Sequence, residues 1–194
     1  MKYKNLIVSL IVLILTIPIA FAECGQTIDT SGEHVLTQDL NNCESTAITI
    51  TADNVILDCN HHTISGYYNM GTGILTQGVE NITIKNCNIN LFSRGIYIRD
   101  THNSIIENNE ISSGIALDIY QSTNNQINNI NAHDNTINNV IQFYESYDNL
   151  FTNSNLTNNE VSAVTLMYSH NNTISNINAD NNYAGLSIFY GSKD

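Results

Sequence analysis

Arg94, Arg99, Asp100 and His102 fall in one nine-residue stretch and include both arginines of the 194-residue chain. A permanent guanidinium charge beside a carboxylate and an imidazole could bind an acidic group or move a proton. The same four residues also describe a solvated turn with a local ion pair. Asp58, Lys85 and Glu107 form a second charged set of alternating sign. It reads as a surface ladder that pairs its own charges and contributes little to stability. Cleavage of a polysaccharide needs two carboxylates at a set separation, or a base beside a neutralised acid group. Metal binding needs several ligands within about 2 Å of one ion. His61 and His62 are adjacent and diverge, and His102 and His170 are widely separated, which leaves only Asp58 with His61 or His62. No catalytic residue, metal site or cofactor is therefore predicted.

Tyrosines offer different chemistry. Arg99, Tyr120, Tyr144, Met167 and Phe189 occupy equivalent positions of a repeat, with Tyr168 and Tyr190 one residue later. An outward row of such rings could stack on sugars and hydrogen-bond through phenol oxygens. Aromatic neighbours on adjacent strands also stack on each other simply to hold strands together. Tyr67 and Tyr68 lie in an insertion between Gly66 and Gly71, and insertions in repeat proteins often carry the binding face. The predicted ligand-binding residues are Arg99, Tyr120, Tyr144, Tyr67 and Tyr68.

The elements that must position these residues follow from the repeat. Leu57, Ile84, Ile106, Ile127, Phe151 and Ile174 align, and three residues before each stands Asn54, Asn81, Asn103, Asn124, Asp148 or Asn171, at intervals of 27, 22, 21, 24 and 23 residues. Two residues after the centre are Cys59, Asn86, Asn108, Asn129, Asn153 and Asn176, and four after it are His61, Asn88, Glu110, Asn131, Asn155 and Asn178. Apolar residues alternate with period two, which excludes helical repeats. A unit this short cannot bury its apolar side alone, so the units stack. The predicted fold is an all-β, single-stranded parallel β-helix of six to seven turns, rising by about 4.8 Å per turn. Asn suits the left-handed corners, and its amide can bond to the same residue one turn away. Asn81, Asn155 and Asn171 begin Asn-x-Thr sequons, but ladder membership is expected to shelter all three.

Lys2 and Lys4, an apolar run over residues 6–19 and Ala20-Phe21-Ala22 predict a signal peptide over residues 1–22. Residues 23–46, which lack the repeat, are expected to cap the solenoid, and residues 47–194 to form it. The uniform composition up to Asp194 predicts that further turns or another subunit cover the C-terminal end. Without Lys2 and Lys4 the chain has four cationic residues against 18 acidic ones. Such a surface repels phosphate backbones and anionic lipids, which argues against nucleic-acid or membrane partners. Export permits disulfides, and the expected pairs are Cys24 with Cys43 and Cys59 with Cys87. Free thiols are the alternative for the second pair, because Cys87 sits one place off the Cys59 register.

The run Val55-Ile56-Leu57-Asp58-Cys59-Asn60-His61-His62-Thr63-Ile64-Ser65-Gly66, followed by Asn81-Ile82-Thr83-Ile84-Lys85-Asn86-Cys87, resembles the opening of many secreted archaeal and bacterial right-handed parallel β-helix proteins. These carry PbH1 repeats and are grouped with NosD-like β-helix domains and the pectin-lyase-like fold. The resemblance is specific for fold and not for activity, since this fold hosts lyases, hydrolases, epimerases, tailspikes and surface proteins. It implies a secreted or cell-surface module for glycan association or scaffolding. A polysaccharide lyase, epimerase or hydrolase is the alternative, and a NosD-like copper-handling accessory protein is a third reading. Binding or structure is favoured over catalysis.

Overall fold

Asparagine corners and short isoleucine strands recur in each turn of the computed structural model, which describes residues 19–21 and 23–192. Residues 19–21 form β1 (Ile19–Phe21), which pairs in parallel with β3 (Gly32–Leu36). The rest of the leader expected at residues 1–22 lies outside the described residues.

The strands line three faces. The first holds β3 (Gly32–Leu36), β6 (Val55–Asp58), β9 (Thr83–Lys85), β12 (Ile105–Ser112), β14 (Gln126–His133), β16 (Leu150–Thr157) and β18 (Thr173–Asn178). The second holds β4 (Leu40–Cys43), β7 (Thr63–Gly66), β10 (Asn88–Asn90) and the later halves of β12, β14 and β16. The third is an eight-stranded sheet of β2 (Gln26–Ile28), β5 (Ile48–Ile50), β8 (Thr72–Glu80), β11 (Arg94–His102), β13 (Ile115–Tyr120), β15 (Asn139–Tyr144), β17 (Asn159–Met167) and β19 (Asn182–Phe189). Every pairing is parallel, because each strand meets its counterpart one turn away rather than its neighbour in sequence. The predicted register is present: Leu57, Ile84, Ile106, Ile127, Phe151 and Ile174 pair in succession. All but Ile174 are fully buried. Residues 26–43, in the segment expected to cap the solenoid, form a further turn, since β2, β3 and β4 pair with β5, β6 and β7.

Asn54, Asn81, Asn103, Asn124, Asp148 and Asn171 all adopt left-handed corners, with φ between 52° and 57°. Asx side chains tolerate that region better than other non-glycine residues. At the next corner Asn86, Asn108, Asn129, Asn153 and Asn176 do the same. The first repeat departs from the expected alignment there. Asn60 and His61 both take positive φ, and Asn88 pairs with Thr63 rather than His61. Two inserted residues are absorbed in the corner, so Cys59 stays buried and bonds to Cys87 across a Cα separation of 4.8 Å. Cys24 and Cys43 form the other expected disulfide.

Amide ladders exist, but not in every predicted column. Asn155 donates to Asn131 at 3.0 Å and accepts from Asn178 at 2.8 Å. Two further ladders run inside the solenoid, at positions the repeat alignment did not single out. Asn125 donates to Asn149 Oδ1, and Asn149 to Asn172 Oδ1, each at 3.0 Å. At the opposite corner Asn135 donates to Asn159 at 2.8 Å, and Asn159 to Asn182 at 2.7 Å. These residues are interior because they follow a left-handed corner and turn inward, where each amide also bonds a backbone carbonyl. No buried side-chain polar atom among the described residues lacks a partner. The column of Asn81 and Asn171 carries no such ladder, and its residues are exposed corners.

Candidate functional site

The third face ends on the predicted column. Gln77, Arg99, Tyr120, Tyr144, Met167 and Phe189 are successive partners across β8, β11, β13, β15, β17 and β19. The next residue in each turn is a left-handed corner: Gly78, Asp100, Gln121, Glu145, Tyr168 and Tyr190. A buried hydroxyl follows in the middle turns. Ser122, Ser146 and Ser169 donate to the carbonyls of Tyr120, Tyr144 and Met167 at 2.8, 3.0 and 2.9 Å. Each serine oxygen also accepts the backbone N–H one turn below, from Thr101, Ser122 and Ser146. This hydroxyl ladder locks the corner, and with it the direction in which the tyrosines leave the edge. Its sequence signal is a serine two residues after the column at the repeat interval, after Tyr120, Tyr144 and Met167.

The aromatic row is continuous. Tyr120 and Tyr144 stack with centroids 5.3 Å apart and planes 8° apart. Tyr144 meets Tyr168 edge-on at 5.8 Å, and Tyr168 stacks on Tyr190 at 5.2 Å. The row thus steps from the strand end to the left-handed corner in the last two turns, although Val164–Met167 stay in step with Leu186–Phe189 and the register shifts only further back, between Asn159 and Ser162. Tyr120 with Tyr144 and Tyr168 with Tyr190 use their faces on each other, so within each pair the edge offers ligand rims and hydroxyls rather than the stacked faces. Arg99 extends the row at its other end, 5.9 Å from the Tyr120 ring. Among the described residues Arg99 makes no ion pair.

The four residues clustered in sequence separate in space. Arg94 opens β11 and its Nε donates to Asp118 Oδ2 at 2.7 Å, with the guanidinium 4.9 Å from the Tyr97 ring. Asp118 is 3% exposed although it lies on the outer side of the sheet. Burial pushes its carboxyl above the ordinary value, against the pull of Arg94 and of Gln142. Burial and then the Asp118 charge push the Tyr97 phenol up. Asp118 was not legible as a site residue, because only packing beneath Arg94 distinguishes it from the other acids. A carboxyl whose folded pKa is raised binds its proton more tightly when folded. Its contribution to stability is therefore present below 3.8 and lost as pH rises from 3.8 through the raised value. Asp118→Asn is expected to flatten stability against pH in that window, measured by urea unfolding at stepped pH. An unchanged slope would remove the assignment.

Arg99, Asp100 and His102 stay at the far end of β11. His102 Nε2 lies 3.2 Å from Asp100 Oδ1, and its Nδ1 lies 2.9 Å from Thr123 Oγ1. A depression of about 230 Å³ at this corner is lined by Asp53, Gly78, Val79, Glu80, Asp100 and His102. It adjoins the start of the tyrosine row. Asp53 and Glu80 were missed in the sequence, since they are 27 residues apart and meet only one turn above the other; Asp53 Oδ1 accepts the Glu80 amide at 2.8 Å.

Tyr67 and Tyr68 stand elsewhere, before the start of β8, at the opposite edge of the third face. Their rings meet at 4.3 Å and 78°, beside a depression of about 390 Å³ lined by Asn42, Gly66, Asn69 and Leu91 as well. The five predicted ligand residues therefore form two places. The Asp58, Lys85 and Glu107 column is in register, with Lys85 Nζ 3.3 Å from Asp58. Burial raises the Asp58 pKa, but hydrogen bonds from Asn86, the Asn60 amide and Lys85 outweigh it and hold the carboxyl low. His62 pairs with Asp39 at 3.0 Å, not with Asp58. His102 and His170 are linked through Thr123 and Tyr147 in one column three turns long. Among the described residues no three of His, Cys, Asp and Glu come together to hold a metal.

The model of the right-handed β-helix region matches residues 28–138 and 72–194. The chain belongs to this right-handed β-helix family. Among solved structures, the crystal structure of an alginate lyase from Paenibacillus sp. str. FPU-7 aligns with 91% of this β-helix and 92% of its own chain, at 11% identity and a TM-score of 0.44. No curated protein matches the chain. No helix among the described residues is long and apolar enough to cross a membrane.

Proposed function

We propose that this β-helix is an exported module that holds a polysaccharide lengthwise along the edge from Arg99 to Tyr190. The observation that carries the reading is the unbroken row of four tyrosines, one per turn, with Arg99 over the Tyr120 ring at its end and in no ion pair among the described residues. One ring per turn, about 4.8 Å, is of the same order as the length of one sugar residue. Ring rims supply apolar contact and phenol oxygens supply hydrogen bonds, the mixture that a pyranose presents in return. Two disulfides and the leader pattern support export. Titration with neutral oligosaccharides of increasing length, read by tyrosine fluorescence, is expected to show affinity that rises with length and then levels off. Tyr144→Ala is expected to weaken binding about tenfold, the loss of roughly 1.4 kcal/mol. Absence of binding across a broad glycan panel, or an unchanged Tyr144→Ala, sinks the reading.

A second reading, cleavage of the bound polysaccharide, is favoured by the acid-lined depression at the start of the row. Asp53, Glu80, Asp100 and His102 bring carboxylates and an imidazole together, and a glycosidase needs an acid and a second carboxylate at a set separation. A chain lying on the tyrosines would present one linkage there. The same incubations, assayed for new reducing ends, decide between the two readings. Release that is abolished by Glu80→Gln makes the molecule an enzyme, and binding without release makes it a module.

A further inference from the structure

Three sequons, all expected to be sheltered, turn out to differ in the one respect that governs their reactivity. Asn155 lies mid-strand in β16 with its amide held on both sides, to Asn131 and from Asn178. Asn81 and Asn171 are exposed left-handed corners at φ 56°, and neither side chain takes part in a ladder. Each is followed two residues later by the first residue of a strand, Thr83 of β9 and Thr173 of β18. The residue between, Ile82 or Asn172, is buried, which turns the sequon's Asn and Thr to the outside together. Asn171 also follows Tyr168, 43% exposed, and His170, which stacks with Tyr147 at 5.7 Å. Such rings give a first sugar an apolar surface to rest on.

We propose that Asn81 and Asn171 are acceptors for N-linked glycans in the folded protein, and that Asn155 is not. The proposal rests on the export reading for its setting, though not on the polysaccharide reading. In the transfer, Nδ2 forms a bond to the anomeric carbon of an oligosaccharide carried on a polyprenyl diphosphate. The bond from that carbon to the phosphate oxygen breaks, the lipid diphosphate leaves with the electron pair, and one amide proton passes to a base of the transferase. Nothing is oxidised or reduced. The transferase must seize and twist the amide. At Asn155 this breaks two hydrogen bonds, whereas at Asn81 and Asn171 it breaks none of the ladder.

Purified folded protein would be incubated with a single-subunit oligosaccharyltransferase that accepts Asn-x-Thr and a polyprenyl-diphosphate oligosaccharide, then mapped by peptide mass spectrometry. Starting from folded protein keeps the result independent of whether the leader directs export. Asn81 and Asn171 are expected to be occupied, with Asn155 at least tenfold lower; Asn81→Gln and Asn171→Gln each remove one glycan mass. Chain unfolded beforehand is expected to gain modification at Asn155. An empty Asn81 or Asn171 in the folded protein, or Asn155 occupied to the same level, overturns the proposal.

Discussion

Asn149→Leu is expected to destabilise the solenoid by roughly 2–6 kcal/mol, at about 1–3 kcal/mol for each of two buried N–H groups left without a partner. The residue sits between two others in the interior ladder. Its Oδ1 accepts both the backbone N–H and the side-chain amide of Asn125, each at 3.0 Å. Its own Nδ2 donates to Asn172 Oδ1 and to the Ser122 carbonyl, each at 3.0 Å. Leucine has the same number and branching of side-chain heavy atoms, so the substitution leaves no cavity. What is lost is a partner for two N–H groups of Asn125, both buried, while the Ser122 carbonyl keeps the Tyr147 backbone N–H at 3.2 Å. Asn155→Ala on the exposed ladder removes bonds that water replaces, and its effect is expected to stay below about 1 kcal/mol. Urea unfolding of both variants beside the parent tests this. Equal losses in the two variants would mean that the interior ladder is no more demanding than the surface one.

Replacing Cys59 and Cys87 together by alanine is expected to cost about 3–4 kcal/mol, the chain-entropy value for a cross-link of this span. The bond joins residues 28 apart on consecutive turns, and both cysteines are fully buried. It lies at the corner where Asn60 and His61 are inserted and the regular amide column is interrupted. A covalent tie thus stands at the irregular corner, beside the inter-turn bonds from the His61 N–H to Asn86 and from the Asn88 N–H to His62. Loss of Cys24–Cys43, which closes 19 residues in the first turn, is expected to loosen that turn while later turns stay folded. Hydrogen exchange resolved along the chain separates the two outcomes. Uniform loss of protection in both variants would argue that the solenoid unfolds as one unit.

Leu186 and Ile188 are about half exposed where their partners Val164 and Leu166 are buried, because among the described residues β19 pairs with β17 alone.

Much of this architecture was legible in the residues. A period-two apolar pattern at intervals of 21 to 27 residues specified strands, stacking and the pairing from Leu57 to Ile174, because a one-residue slip would turn a whole apolar column to solvent. Asparagine at fixed positions specified the corners, because few other side chains tolerate them. The column from Arg99 through Tyr120 and Tyr144 followed from the same register. Tertiary structure alone decided which asparagines face inward, since Asn124 and Asn125 are identical as letters and are separated only by the corner between them. It decided that Tyr67 and Tyr68 lie across the third face from Tyr120, that Arg94 turns to Asp118 while Arg99 lies over the Tyr120 ring, and that Asp53 and Glu80 share a depression with His102. Period and composition report on one turn at a time, whereas the site is built between turns, from residues whose meeting depends on how each corner redirects its side chain.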